Sequence, residues 1–189
     1  LDESAREFLG RLSRLLHHIG GVTRIRSRGE EGQDVLRASP SAGALYPTEI
    51  YLAVRDVSGL VDGIHAFQPL QNRLVPLWEG DYSVDLAELC LRHDGMLSGK
   101  MALILTGVWQ RSAWRYRERA YRRILLDTGH VVGNALAYAP QEGFQAISLF
   151  AFNDAGFNDL LFLDPRSEGV LGVLPVSYTH LTLPTNTPV

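Results

Sequence analysis

The sequence predicts an α+β fold, and two observations carry the prediction. Some segments repeat apolar residues at helical spacing and others run apolar without interruption, so amphipathic helices and buried strands both occur. Along the chain these segments follow the order α–β–ββ–α–β–α–β–α–β. This order contains a hairpin and no regular βαβ alternation, which is typical of α+β rather than α/β proteins.

The first half of the chain is predicted to contain one helix and three strands. A helix over 5–17 has apolar residues on one face, namely Phe8, Leu12, Leu15 and Leu16. The segment 23–37 is polar, charged and interrupted by glycines, so we expect a surface loop there. A buried strand over 50–54 follows, and a short turn then joins the two strands of a hairpin, 63–67 and 73–78.

The second half alternates helices with strands. After a helix for which Ser83 is the expected N-cap, the run KMALILTGV predicts a strongly buried strand over 100–108. A long helix over 118–139 comes next. The remaining elements are a strand over 144–149, a helix opened by Asn153 or Asp154, and a strand over 170–176.

The long helix carries a stripe of small residues. Gly129, Gly133 and Ala137 lie four positions apart, which lets another backbone approach this face closely. The stripe is compatible with tight packing inside the chain and equally with a subunit interface.

Composition and charge narrow the classes of function. The 189 residues suit one domain, and the net charge of −3 gives no electrostatic basis for binding nucleic acid or an anionic membrane. The one cysteine, Cys90, excludes an internal disulfide, and its amphipathic helix favours a buried structural thiol. Because no signal peptide or membrane-length apolar run is present, we expect a soluble, cytoplasmic protein.

Familiar catalytic and metal-binding motifs are missing from the sequence. The histidines lack metal-ligand spacing, so no metal site is predicted from His17, His18, His65, His93 and His130. No G-x-S-x-G elbow exists, and no G-x-G-x-x-G or P-loop follows a strand. Hydrolase, Rossmann and Walker chemistries are therefore disfavoured.

Two stretches remain as candidate sites. The turn ASPSAGALYPTE, 38–49, crowds small residues together, which leaves backbone N–H groups open to a planar ring or an anion. A plain connecting loop is the alternative. The segment 106–130 gathers aromatic and guanidinium side chains, namely Trp109, Arg111, Trp114, Arg115 and Tyr116. These side chains could bind an anionic ligand or take part in proton transfer. The alternative is a solvated, arginine-rich start of a helix whose aromatic side chains lie in the core.

Four segments in this order and spacing carry a resemblance: SPSAGALYPTEIYLAV, GIHAFQPLQNRL, AWRYRERAYRRILLDTGHVVGNALAYA and FAFNDAGFNDLLFLD. Together they resemble the SagB/ThcOx-type dehydrogenases of the nitroreductase superfamily over 12–176. The resemblance implies a mixed, mainly antiparallel sheet flanked by helices, with a long central helix in a homodimer. It also implies noncovalently bound FMN and oxidation of azolines to azoles in ribosomal peptides. In that reaction a hydride passes to the flavin and a base takes the proton.

The resemblance also assigns site residues. The turn along the flavin ring matches Pro40, Ser41, Ala42 and Gly43, and a helix position near the cofactor matches Asn134. The segment beside the flavin matches Ser148, Leu149, Phe150 and Ala151. The Lys-Tyr pair that removes the proton matches Arg115 and Tyr116. Because a guanidinium stays protonated at neutral pH, Arg115 cannot act as the base. Tyr116 is left to relay a proton, and Arg115 to polarise the substrate.

The same comparison sets the expected boundaries and leaves alternatives open. It predicts a flavin-binding domain over 1–176 that is truncated at its N-terminus, followed by a non-native tail over 177–189. The expected partners are a second copy of the chain and a peptide or small-molecule substrate. Two other functions remain: an NAD(P)H-dependent nitro- or quinone-type reductase, and a degenerate, non-catalytic flavin- or peptide-binding subunit.

Overall fold

The structure, a computed structural model, describes residues 1–178. The helices are α1 Glu3–Gly20, α2 Ser83–Leu89, α3 Asp94–Ser98, α4 Trp109–Tyr116, α5 Ala120–Tyr138 and α6 Asp154–Leu160. The strands are β1 Val22–Ser27, β2 Gln33–Arg37, β3 Thr48–Val54, β4 Gly63–Gln68, β5 Arg73–Glu79, β6 Met101–Val108, β7 Phe144–Ala146 and β8 Glu168–Tyr178. Nearly all of the predicted helices and strands are thereby confirmed.

A six-stranded sheet in the order β5-β4-β3-β6-β8-β7 organises the chain. Each neighbouring pair in it is antiparallel. Strand β6 lies near the centre, and its side chains are buried from Met101 to Gly107, which explains its continuous apolar sequence. The predicted α+β fold, with a mainly antiparallel sheet flanked by helices, is confirmed.

Helices cover both faces of this sheet, and adjacent residues of β3 show how. Leu52 packs in one core with Leu16 of α1 and Val132 of α5. Its neighbour Ala53 points to the other face and packs in a second core with Phe157 of α6. The long helix α5 therefore lies on the α1 side, where it can reach the chain entering β3.

The segment 23–37, expected to be a loop, is instead an antiparallel hairpin of β1 and β2. Its strands are largely exposed and rich in arginine, so they give no apolar alternation from which strands could be predicted. The side chain of Asp34 accepts hydrogen bonds from Arg26, at 2.6 Å, and from Arg28, at 2.8 Å. These two guanidinium groups lower the pKa of the Asp34 carboxyl below its ordinary value. Cross-strand charge pairing therefore replaces apolar packing here.

The structure corrects two predicted boundaries, the N-cap of α2 and the end of the last strand. Tyr82 is the N-cap of α2, and Ser83 is its first helical residue, with its backbone N–H bound to Asp81. Strand β8 continues through Ser177 and Tyr178, which pair with β7, so the sheet extends past position 176. The rest of the predicted tail, 179–189, lies outside the described residues.

Candidate active site at the small-residue turn

A single carboxylate on α5 holds the small-residue turn in place. The hydroxyl of Ser41 donates to Oδ2 of Asp127 at 2.6 Å, and the backbone N–H of Ala42 donates to Oδ1 at 3.1 Å. The backbone N–H of Tyr46 closes the turn by donating to the Ser41 hydroxyl at 2.8 Å. The expectation of open backbone N–H groups is therefore wrong for Ala42, because its amide is bound to Asp127.

Gly43 sits at the tip of this turn in the left-handed region, with φ 68° and ψ 16°. A Cβ at this position would lie 2.9 Å from the hydroxyl of Tyr116 and 3.5 Å from Nε of Arg115. Glycine is required here both for its backbone angles and for this close approach. The structure thus brings together the two stretches that the sequence singled out separately.

Helix α4 and the residues after it hold the Arg115–Tyr116 pair in position. Tyr116 is the last residue of α4, and Arg117 then turns the chain with a φ of 48°. The guanidinium of Arg123, on α5, lies 5.0 Å from the centre of the Tyr116 ring, a cation–π contact. The guanidinium of Arg123 therefore packs against the ring of Tyr116, while the Tyr116 hydroxyl faces Gly43.

Two other residues of the arginine- and tryptophan-rich segment have structural partners. The indole N–H of Trp109 donates to the carbonyl oxygen of Pro165 at 3.0 Å. Arg111 donates to the carbonyl oxygen of Tyr46 at 3.0 Å and pairs with the Glu49 carboxylate. The Arg111 contacts attach α4 to the turn and to the start of β3, and the Trp109 bond attaches α4 to the segment that precedes β8.

Asn134 connects elements inside the protein. Its side-chain amide donates to the carbonyl oxygen of His18, at 3.0 Å, and to the hydroxyl of Ser39, at 3.1 Å. Ser39 is buried and in turn donates to the carbonyl oxygen of Ile19. Asn134 therefore ties α5 to the end of α1 and to the residue preceding Pro40, so its amide is committed to the fold.

The segment 148–151 is fixed by β8. Leu149 and Val173 exchange backbone hydrogen bonds of 2.8 and 3.1 Å. The side chain of Phe150 is 64 % exposed, and its ring lies against Gly172, where a Cβ would be 3.1 Å from Cε1.

Register places this segment away from the turn. Thr48, at the end of the turn, is aligned through Gly107 with Gly169, whereas Leu149 is aligned with Val173. With about 3.3 Å per residue and about 4.8 Å per strand spacing, Leu149 lies on the order of 20 Å from Thr48. Of the predicted site residues, the turn and the Arg115–Tyr116 pair meet, while 148–151 lies apart from them.

Asp127 is the site residue that the sequence reasoning missed. It is 6 % exposed and is the sole acidic residue of α5. A buried carboxylate requires hydrogen-bond partners, so a lone acidic residue in a long helix was the available signal. Its partners, two turn residues, could not be identified from spacing.

Residues 1–178 hold neither a cluster of candidate metal ligands nor a helix suited to cross a membrane. Within that range no three His, Cys, Asp or Glu side chains are grouped to hold a metal ion. Nor does any helix of that range combine the length and apolar character of a membrane span.

Comparisons with known proteins agree with this architecture. The model of the Nitroreductase family matches residues 10–178. A nitroreductase-like protein of Methanocaldococcus jannaschii is 31% identical over 153 residues, which cover 81% of this chain and 73% of the relative. A crystal structure of a nitroreductase-like protein from Anabaena variabilis has a TM-score of 0.88 and 40% identity, and the match covers 93% of this chain and 36% of that one.

Two relatives are named for peptide processing. The trifolitoxin-processing protein TfxB of Rhizobium leguminosarum is 28% identical over 86% of this chain and 45% of its own length. The microcin B17-processing protein McbC of Escherichia coli is 28% identical over 72% of this chain and 52% of its own length. This chain thus spans about half the length of these two relatives. The family model, the archaeal relative and the cyanobacterial structure agree, and the chain belongs to the nitroreductase family.

Proposed function

We propose that this chain is an FMN-dependent dehydrogenase of the SagB type that oxidises azolines to azoles in ribosomal peptides. One observation carries the proposal: the Tyr116 hydroxyl and the Arg115 side chain lie beside Gly43, within the small-residue stretch from Ser41 to Ala44. Two relatives that are named for processing trifolitoxin and microcin B17 support the peptide-modifying part.

The turn fits a flat cofactor for steric reasons. Ala42 and Gly43 carry at most a methyl group, and Asp127 fixes the backbone of the turn, so these two residues themselves present no large side chain to a planar ring. Arg115 and Tyr116 supply hydrogen-bond donors at the same place. We therefore assign Ser41, Ala42 and Gly43 to the wall of a flavin site. When bound there, FMN supplies a hydride acceptor.

The protein's own groups handle the proton and the substrate. Oxidation of an azoline removes a hydride and a proton, and Tyr116 is the group beside Gly43 that can pass a proton on through its hydroxyl. Arg115 keeps its positive charge, so its role is to bind and polarise an electron-rich atom of the substrate.

A homodimer would unite the separated parts of the site. Within one protomer the segment 148–151 lies on the order of 20 Å from Thr48, at the end of the turn, which is more than a single flavin ring would bridge. Helix α5 also exposes apolar side chains, namely Leu125, Leu126 and Leu136. Between them, a Cβ at Gly129 or Gly133 would meet no atom within 4 Å. We propose that this face of α5 packs against a second copy of the chain, so that 148–151 of one protomer approaches the turn of its partner.

A second candidate function is NAD(P)H-dependent reduction of nitro or quinone compounds. The archaeal relative, which matches most of this chain, is described as nitroreductase-like, and this observation favours the reductase. Both reactions would use the same flavin wall, so the difference lies in which compound donates the hydride.

Flavin spectroscopy with two hydride donors tests the proposal. The purified protein is mixed with FMN, freed of excess cofactor, and its absorbance spectrum is recorded. We expect a bound flavin spectrum, slow bleaching by NADPH, and loss of two hydrogen atoms from a thiazoline-containing peptide by mass spectrometry. Rapid bleaching by NADPH without peptide oxidation would favour the reductase. Absence of bound flavin would contradict both enzyme functions and leave the non-catalytic subunit.

A further inference from the structure

A cleft beside the turn has a lining that the flavin site does not use. It has a volume of about 560 Å³, and Glu49 and Tyr51 of β3 contribute to its lining. The lining combines charged and polar side chains with apolar ones, among them Val35, Pro69 and Leu70.

Three of the four charged side chains in this cleft have partners. Glu49 pairs with Arg111, which also donates to the carbonyl oxygen of Tyr46. Glu168 accepts hydrogen bonds from the hydroxyls of Thr106 and, at 3.2 Å, Tyr51. Burial, reinforced by Glu168, raises the pKa of Tyr51, so this hydroxyl remains a donor to the carboxylate.

Arg37 is the exception. Its guanidinium lies 5.1 Å from the centre of the Tyr46 ring, and within residues 1–178 it has no hydrogen-bond partner. Burial lowers the pKa of this guanidinium, while the charge of Glu49 acts in the opposite direction. The half-buried guanidinium lines the cleft with N–H donors that no group in residues 1–178 uses, so they are available to a ligand.

We propose that the cleft binds a monocarboxylate with an apolar body, held by the guanidinium of Arg37. A carboxylate matches the fork of N–H donors on one guanidinium, and the apolar body would pack on Pro69 and Leu70. The ligand would thus use both the charged and the apolar parts of the lining.

The charge balance of the cleft favours one negative charge over two. The two arginines and two glutamates already sum to zero, so a monoanion adds one charge, which lies beside Arg37. A phosphate dianion would bring a second negative charge close to Glu49 and Glu168, which disfavours it. The proposal therefore distinguishes a carboxylate from a phosphate.

Calorimetric titration with a matched pair of small molecules tests the site. The probe is 3-phenylpropionate, its neutral counterpart is 3-phenylpropionamide, and inorganic phosphate is the third ligand. We expect the acid to bind at least tenfold more tightly than the amide, and phosphate to bind more weakly than the acid. Equal affinity for acid and amide, tighter binding of phosphate, or no binding of the acid would each overturn the proposal.

Variants locate the binding to Arg37. Arg37→Gln should weaken binding of the acid at least tenfold and leave the amide unchanged, and Arg37→Lys should retain part of the preference for the acid. Arg6→Gln, an exposed arginine on α1, is the matched control and should bind the acid as the original protein does. Unchanged melting temperatures would show that all three variants are folded. If Arg37→Gln binds the acid as tightly as the control, Arg37 is not the anchor.

The source of the carboxylate is distinguished by a further arm. N-acetyl-phenylalanyl-glycine, with a free or an amidated C-terminus, replaces the small acid. Binding of the free form alone at comparable affinity indicates a peptide terminus, and binding of only the small acid indicates a small molecule. All titrations are run without FMN, so their outcome is independent of the proposed flavin chemistry.

Discussion

The hydroxyl of Ser41 donates a 2.6 Å hydrogen bond to the carboxylate of Asp127, 86 positions further along the chain. The same carboxylate accepts the backbone N–H of Ala42, and Tyr46 donates back to Ser41. The turn is therefore a rigid extension of α5. This attachment and the contacts of Arg111 with Tyr46 and Glu49 together position the turn relative to Arg115 and Tyr116.

Loss of this attachment should destabilise the protein. Ser41→Ala removes the donor to Asp127 and the acceptor for Tyr46, so we expect the free energy of unfolding to fall by about 1–3 kcal/mol. The measurement is urea denaturation followed by circular dichroism. Ser58→Ala, at an exposed serine, is the control and should change stability by less than about 0.5 kcal/mol. Equal effects of the two substitutions would show that the Ser41 bond contributes nothing.

Gly43→Ala should affect both stability and the site. Alanine in the left-handed region costs about 1–2 kcal/mol, and its methyl group would also push against the Tyr116 hydroxyl. Gly29→Ala is the matched control, because Gly29 has nearly the same φ, 67°, and open space around its Cβ position. We expect Gly43→Ala to be the more destabilising in urea and to weaken FMN binding in a fluorescence titration. Identical losses in the two variants would argue against the contact with Tyr116.

Tyr116→Phe should separate proton transfer from flavin binding. The substitution keeps the ring beside Arg123 and removes only the hydroxyl, so FMN should still bind while azoline oxidation falls about 10²- to 10⁴-fold. Tyr121→Phe, at an exposed tyrosine of α5, is the control and should retain turnover. An unaltered rate for Tyr116→Phe would exclude its hydroxyl as the proton relay.

Arg115→Lys should raise turnover, since a lysine can release its proton.

Leu126→Glu should dissociate the proposed homodimer. Leu126 is 61 % exposed on α5, so a charge there costs little within one protomer but is unfavourable in an apolar interface. Light scattering coupled to size-exclusion chromatography should give a dimer for the original protein and a monomer for this variant. Val84→Glu, at a residue of α2 that is 70 % exposed, should remain dimeric. A monomeric original protein would reject the homodimer.

The Cys90 thiol should be unreactive in the folded protein, and its burial should make the protein less stable as the pH rises above 9. Its side chain is 1 % exposed, and burial raises the pKa of the thiol from 9.0 to about 11. The unfolded chain therefore loses this proton first, so the contribution to stability is present below pH 9 and is lost as pH rises toward 11. The original protein should lose stability above pH 9 more steeply than Cys90→Ala, by at most about 1.4 kcal/mol per pH unit. Parallel pH profiles, or rapid labelling of the native thiol by iodoacetamide, would contradict this.

Elements with strong apolar patterns were predictable, and the exposed hairpin was not. Strand β6 is buried along nearly all its length, so its sequence is apolar except at Thr106, whose hydroxyl is satisfied by Glu168. In β1 and β2 the side chains largely face solvent, and the strands depend on backbone pairing and on Asp34 between two arginines. Such pairing leaves almost no periodic trace, because exposed positions tolerate polar residues whatever the backbone does.

The sequence by itself determined the α+β class, the small-residue turn with Gly43 and the Arg115–Tyr116 pair, because periodicity and residue type are local properties. Only the tertiary structure decided that the Tyr116 hydroxyl faces Gly43 and that Asp127 accepts the hydrogen bond of the Ala42 amide. It also decided that the segment 148–151 pairs with β8, away from the turn. These relationships join residues tens of positions apart, and sheet register and helix packing fix them jointly.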